Sequence, residues 1–174
     1  DVIHLWKVLD NGRLIDFRQI ALDEYGVDSV SISPDGKMLA AGQRGGVKSW
    51  DIGSGRLERS FTTDTAEART VAWSVDGEDL ATSNNNGVEV WNSRDGVQLA
   101  SLGNFSVALN TFDWLPTGGA LAVGTDDRLV RLLEVKTGSL LNTLESSGQV
   151  RSIDFSPNGS ELAVGTLNDK IEIW

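Results

Sequence analysis

Apolar and polar residues alternate in short runs along almost the whole chain. Val27-Asp28-Ser29-Val30-Ser31-Ile32 is one such run, and Leu57-Glu58-Arg59-Ser60-Phe61 is another. Alternation with a period of two, bounded by turn residues, predicts half-buried β-strands. No stretch keeps a 3.6-residue period for the length of a helix, so the predicted class is all-β. The runs come in a fixed order. An alternating strand ends in a Pro/Asp/Gly turn, and a short small-residue strand follows, such as Leu39-Ala40-Ala41-Gly42 or Leu121-Ala122-Val123-Gly124. A polar turn leads to a third strand ending in a large residue, as in Val47-Lys48-Ser49-Trp50. A glycine turn then leads to a fourth strand.

That order repeats. The turn segments beginning at Ile32, Trp73, Trp114 and Phe155 stand 41 residues apart. A second anchor follows each one: Trp50, Trp91, Leu133 and Trp174. A fifth copy, Trp6, lies 44 residues before Trp50. Four antiparallel strands in about 41 residues is the arithmetic of a propeller blade. A sheet this small has two apolar faces and can bury both only by stacking between neighbours. The large anchors suit the space between blades. The Leu-Ala-x-Gly strand suits an inner position, where blades converge. The expected units are 1–20 (the end of one blade), 26–62, 67–102, 107–145 and an incomplete 149–174.

Composition narrows the chemistry. Among 174 residues there is no cysteine and one histidine, His4. Thiolate nucleophiles, disulfides and thiolate metal sites are excluded, and a Ser-His-Asp arrangement has only His4, which sits in an alternating strand. The net charge is −10. It is concentrated beyond residue 60, where 16 acidic residues face 7 basic ones. A phosphate backbone is repelled by such a surface, so nucleic acid is not expected as the main partner. No apolar run is long enough to span a membrane. The chain starts at Asp1 without methionine or a signal region and reads as a piece of a longer product. A cytoplasmic location is expected. The acidic pairs Asp126-Asp127 and Asp76/Glu78-Asp79 lack the spacing of a calcium loop and fall at turns. Gly42-Gln43-Arg44-Gly45-Gly46 lacks the strand-to-helix context of a phosphate loop. No metal, cofactor or catalytic constellation is expected.

The repeat resembles the WD40 family, in the frame of a Ser-Pro-Asp-Gly turn, a Leu-Ala-x-Gly strand, a third strand ending in Trp-Asp, and a Thr-Gly turn. The TolB-like propellers share the first turn, but the Trp and Thr/Ser-Gly pattern favours WD40. The chain departs from the pattern. Trp-Asp survives only as Trp50-Asp51, and Asp23, Asp64, Phe105 and Ser146 stand where the family has histidine. The histidine's expected partner is Arg44, Asn85, Asp127 or Asn168. The buried His–Asp network is therefore expected to be missing, with apolar packing carrying more of the stability. The resemblance implies a non-catalytic scaffold that presents loops to a partner protein or peptide. The loop face would include Tyr25, Asp28, Gln43, Arg44, Glu67, Arg69, Asn84, Phe105, Asn110, Asp126, Gln149 and Arg151. Arg44, Arg69 and Arg151 come from three different blades. They form either a basic spot for carboxylates on a partner or local ion pairs with Asp28, Glu67 and Asp126. Tyr25 and Phe105 are either exposed hot spots or packed beneath their loops. Two other readings stay open: an architectural segment of a larger signalling protein, and a ligand-binding or enzymatic propeller.

Counting strands in this grammar gives seventeen. A four-bladed ring has sixteen places, and the Trp6 and Trp174 strands compete for one of them. An eight-bladed pair of chains meets the same clash. A seven-bladed ring closes without it if two further blades and three further strands are supplied, so the remaining blades of the same propeller are an expected partner. A segment with open ends is expected to be poorly soluble or oligomeric.

Overall fold

The computed structural model describes residues 2–22, 26–63, 67–84, 87–103 and 105–174. Among them stand seventeen strands and no helix. Strands β1 (Val2–Val8) and β2 (Leu14–Ala21) form a two-stranded sheet. Three four-stranded antiparallel blades follow. The first is β3 (Val27–Ile32), β4 (Met38–Gln43), β5 (Gly46–Asp51) and β6 (Leu57–Phe61). The second is β7 (Thr70–Trp73), β8 (Asp79–Ser83), β9 (Gly87–Asn92) and β10 (Gln98–Gly103). The third is β11 (Leu109–Trp114), β12 (Ala120–Thr125), β13 (Leu129–Glu134) and β14 (Leu140–Glu145). A three-stranded sheet ends the series: β15 (Val150–Phe155), β16 (Leu162–Thr166) and β17 (Ile171–Ile173). The architecture is an all-β propeller whose ring is not closed.

The turn chemistry explains the repeat of Ser-x-Asp-Gly. Ser33 Oγ donates to Asp35 Oδ1 at 2.7 Å and accepts from Met38 N at 2.9 Å. Gly36 carries φ of +71°, which only glycine adopts without strain. Ser74 and Asp76 repeat these bonds, and Ser156 with Asn158 uses an amide for the acid.

The first strand of each blade lies innermost. Val71 N donates to Ser29 Oγ at 3.2 Å, and Trp73 Nε1 to Ser31 O at 3.2 Å. Trp114 Nε1 donates to Ala72 O at 3.2 Å, one blade on. The Leu-Ala-x-Gly strand is second from the axis, an inner position as its small residues suggested. Its size limit comes from the neighbouring blade. A Cβ on Gly42 would meet Ala68 O at 2.6 Å, and one on Gly124 would meet Val150 Cγ1 at 2.4 Å. In the three whole blades these second strands are almost wholly buried.

The core is divided among the gaps between blades. Ala40, Val47 and Phe61 of one blade pack on Val71, Trp73, Leu80 and Trp91 of the next. The ring planes of Phe61 and Trp91 meet edge-on with centroids 6.0 Å apart. Leu102 and Val88 pack on Phe112, Trp114 and Leu121 in the following gap. Each anchor singled out by spacing thus fills one gap, apart from Trp6 and Trp174, which stay largely exposed at the open ends.

Candidate functional site

The loop face is built by the turns after the second strand of each blade and by the connections that enter each first strand. Tyr25 lies outside the described residues. Asp28 is exposed on β3. Gln43 and Asn84 are buried and offer no side chain to a partner. Asn84 Nδ2 instead donates to Glu89 Oε1 at 2.6 Å, and Asn84 Oδ1 accepts from Gly87 N at 3.0 Å, so this amide shapes its own turn. Phe105 is half-buried against the core, with the Arg131 guanidinium 5.3 Å from its ring centroid. It packs beneath its loop.

Each of the three arginines has polar or acidic neighbours close by. Arg44 forms an isolated backbone bridge with Glu67, and Glu67 Oε2 lies 3.9 Å from Arg69 Nη2. Arg151 Nη1 lies 3.6 Å from Asp126 Oδ1, and its Nη2 donates to Gln149 Oε1 at 3.1 Å. Asn110 Nδ2 completes this group, donating to Asp126 Oδ1 at 2.8 Å and to Val150 O at 2.9 Å. Pairs of this exposure contribute roughly 0–1 kcal/mol each. Arg44, Arg69 and Arg151 all remain exposed, so a partner carboxylate can still reach them.

A half-buried network occupies the place of the absent His–Asp pair in the third blade. Asp127 Oδ1 accepts from Thr125 Oγ1 at 2.5 Å and from Leu129 N at 3.2 Å. Arg131 Nη2 donates to Asp127 Oδ2 at 2.5 Å, and Arg131 Nη1 reaches Thr125 Oγ1 at 2.7 Å. The Arg131 hydrogen bond dominates, and against the opposing effect of burial the Asp127 carboxyl is held down to about 2. An arginine on the third strand has taken the histidine's part. Sequence spacing missed it because the donor comes from a different strand. In the last sheet, Asn168 Oδ1 accepts from Thr166 Oγ1 at 2.5 Å, a neutral version of the same turn. Ser146, at a histidine position, donates to Arg128 O and Gly148 O.

Among the described residues no three His, Asp or Glu side chains stand together as a metal site. No helix among the described residues is long and apolar enough to cross a membrane. No curated protein matches the chain. The family model for the WD domain, G-beta repeat matches residues 21–51 and 138–174. The first match runs through β3 to β5, and the second from the end of the third blade through β17. Repeat match and stacked four-stranded blades agree: the chain is a β-propeller, and residues 21–51 and 138–174 of it match the WD40 repeat.

Proposed function

We propose that the chain is a non-catalytic scaffold whose loop face binds an acidic segment of a partner protein. The observation that supports this reading is that Arg44, Arg69 and Arg151, on the loops of three blades, are all exposed in an otherwise acidic molecule. Guanidinium forks pair with carboxylates at fixed geometry, so these arginines select charge and geometry together. WD40 propellers generally serve as protein-interaction scaffolds, which supports the class of function. The local ion pairs with Glu67 and Asp126 are the competitors that a partner must match.

The test is capture of a partner by the whole chain and by the Arg69→Ala, Arg151→Ala double variant. Loss of capture in the variant, together with weakening by salt in the parent, is the expected result. Equal capture by both would move the binding face elsewhere. A second reading, an architectural segment of a larger signalling protein, is favoured by the apolar faces exposed at both open ends.

A further inference from the structure

The turns that join first to second strands, and third to fourth, emerge on the face opposite the loop face. A cavity opens there in each of the two gaps between whole blades. The gap between the first and second whole blades holds about 450 Å³, and the gap between the second and third about 460 Å³. The scaffold is the same in both, with Trp73 and Trp114 at equivalent places on the walls. The chemistry differs.

In the first gap five carboxylates, Asp35, Asp51, Glu58, Asp76 and Glu78, stand against two guanidinium groups, Arg59 and Arg94. One repeat on, Asn92, Leu99, Thr117 and Gly119 replace Asp51, Glu58, Asp76 and Glu78. The fold therefore does not require these four charges. Two of the carboxylates have turn bonds of their own. Asp51 Oδ1 accepts from Ser54 N at 2.7 Å and Ser54 Oγ at 2.6 Å. Asp76 Oδ1 accepts from Ser74 Oγ at 2.6 Å and Glu78 N at 3.0 Å. These bonds all go to Oδ1, and the second oxygen of each is left to another donor. The same serine hydroxyls hold both carboxyls below the ordinary carboxylate value, so both are charged at neutral pH. The charge is not needed for the turn. Asn92 Oδ1 accepts from Arg94 N and Asp95 N, so an amide holds the same turn one blade on.

Ser49 is an independent sign. It is 1% exposed and lines this cavity, and among the described residues its hydroxyl has no hydrogen-bond partner. Its equivalents by register are Val90 and Leu132. Burying an unpaired hydroxyl is unfavourable where an alkyl group would pack, and the other two blades avoid it. A ligand that bonds to the hydroxyl explains the serine. Met38 and Trp73 add apolar wall beside it.

We propose that this gap receives an arginine side chain from a basic segment of a partner protein. A guanidinium carries five N–H donors in a fixed fork, so it can bond to a hydroxyl and to carboxylates at once. Its aliphatic stem suits the Met38 and Trp73 wall. The excess of carboxylates selects a cation. A metal ion suits the gap less well, because among the described residues no three acidic side chains stand together as ligands. This site differs from the loop face in position and in the sign of the charge it takes, so either reading can fail alone.

The probe is an end-blocked Gly-Ser-Arg-Ser-Gly peptide, titrated into the whole chain and followed by amide and indole NMR shifts. The Ser49 and Asp51 amides and the Trp73 indole N–H should move, and the Trp114 indole N–H should not. Asp51→Asn, which keeps a turn acceptor as Asn92 does, should weaken binding about fivefold. Ser49→Ala should weaken it about threefold. Arg69→Ala with Arg151→Ala, on the loop face, should bind the probe as the parent does. A peptide with neutral citrulline in place of arginine should not bind. Absence of shifts at Ser49 and Trp73, or shifts spread evenly over the acidic surface, overturns the proposal. Unchanged binding by both cavity variants overturns it too. Equal binding of the citrulline peptide, or of one with lysine, overturns recognition of the guanidinium.

Discussion

The early and late gaps between blades are fastened differently. In the early part, an arginine on the fourth strand reaches across to the next blade's glycine turn. Arg18 donates to Ser54 O and Gly53 O, and Arg59 to Asp95 O and Arg94 O. The equivalent positions later are Ala100 and Asn142. Ala100 packs on the core, and Asn142 Oδ1 accepts from the neighbouring Thr143 N at 2.8 Å instead of crossing the gap. The late part keeps the bonds nearer the axis, Asp113 on Phe155 N and Asn110 on Val150 O, as the earlier gaps do through Ser29, Ser31 and Ala72, but lacks the rim arginine. One repeat step can thus be secured from rim and axis together or from the axis alone. The apolar filling and a bond near the axis are what all the whole gaps share.

If apolar filling dominates, the largest loss should come from an anchor rather than from either fastening. Trp114 is buried among Leu121, Leu133 and Phe112 and also donates its indole N–H. Trp114→Ala should cost about 3–5 kcal/mol in denaturant unfolding. Trp174→Ala, at an exposed terminal anchor, should cost much less. Equal losses would show that position in the repeat, not burial, sets the anchor's worth.

The rim fastening ranks next. Arg59→Ala removes two bonds to carbonyls and the aliphatic stem that lies against Gly96. A loss of about 1–2 kcal/mol is expected in the same measurement. Arg18→Ala should behave alike. Ala100→Arg tests whether the device can be moved to the late part. A gain there would make the contrast one of residue choice, and a loss would make it one of backbone geometry.

Much of the fold was legible because it rests on spacing. The four turns, the third-strand anchors and the strand grammar all follow from local chemistry repeated at one interval. The arginine fastenings were not legible. Arg18 and Arg59 look like ordinary solvated residues of an edge strand, and their partners are backbone carbonyls about 35 residues away, which carry no sequence signal. The loop face divides in the same way. Spacing picked out Arg44, Arg69 and Arg151, each of them exposed, but could not tell that Asn84 and Gln43 turn inward. Inward or outward placement at a turn depends on its backbone path, which alternation does not encode.

Acid should separate two carboxylates of the late part. Asp127 is depressed to about 2, chiefly by the Arg131 hydrogen bond. Its stabilisation, up to about 2 kcal/mol, is complete above its unfolded value of 3.8 and is lost as pH falls through that window. Asp127→Asn should therefore destabilise at pH 6 and converge with the parent toward pH 2. Asp113 is raised, first by burial and in spite of the Phe155 and Trp114 amides. Its sign is opposite: the folded state holds the proton more tightly, so stability falls as pH rises from 3.8 through the raised value. Asp113→Asn should abolish that decline. Unfolding midpoints across pH 2–7 read both, and slopes of the same sign would refute the assignment.

The smallest effect concerns strain that only the late part carries among the described residues. Arg128 and Asp169 hold φ of +69° and +60° at equivalent turn positions, where the first whole blade has Gly45 at +95°. A side chain there costs about 1 kcal/mol relative to glycine. Among the described residues the Arg128 side chain has no bond that would offset this, but its carbonyl accepts from Ser146 N and Ser146 Oγ, and glycine keeps that carbonyl. Arg128→Gly should accordingly stabilise by about 0.5 kcal/mol, the relief of strain being partly offset by the greater freedom glycine gives the unfolded chain. A loss instead would mean that the Arg128 side chain contributes more to the late part than its backbone costs. The rim and axis fastenings would then have a third companion at the loop face.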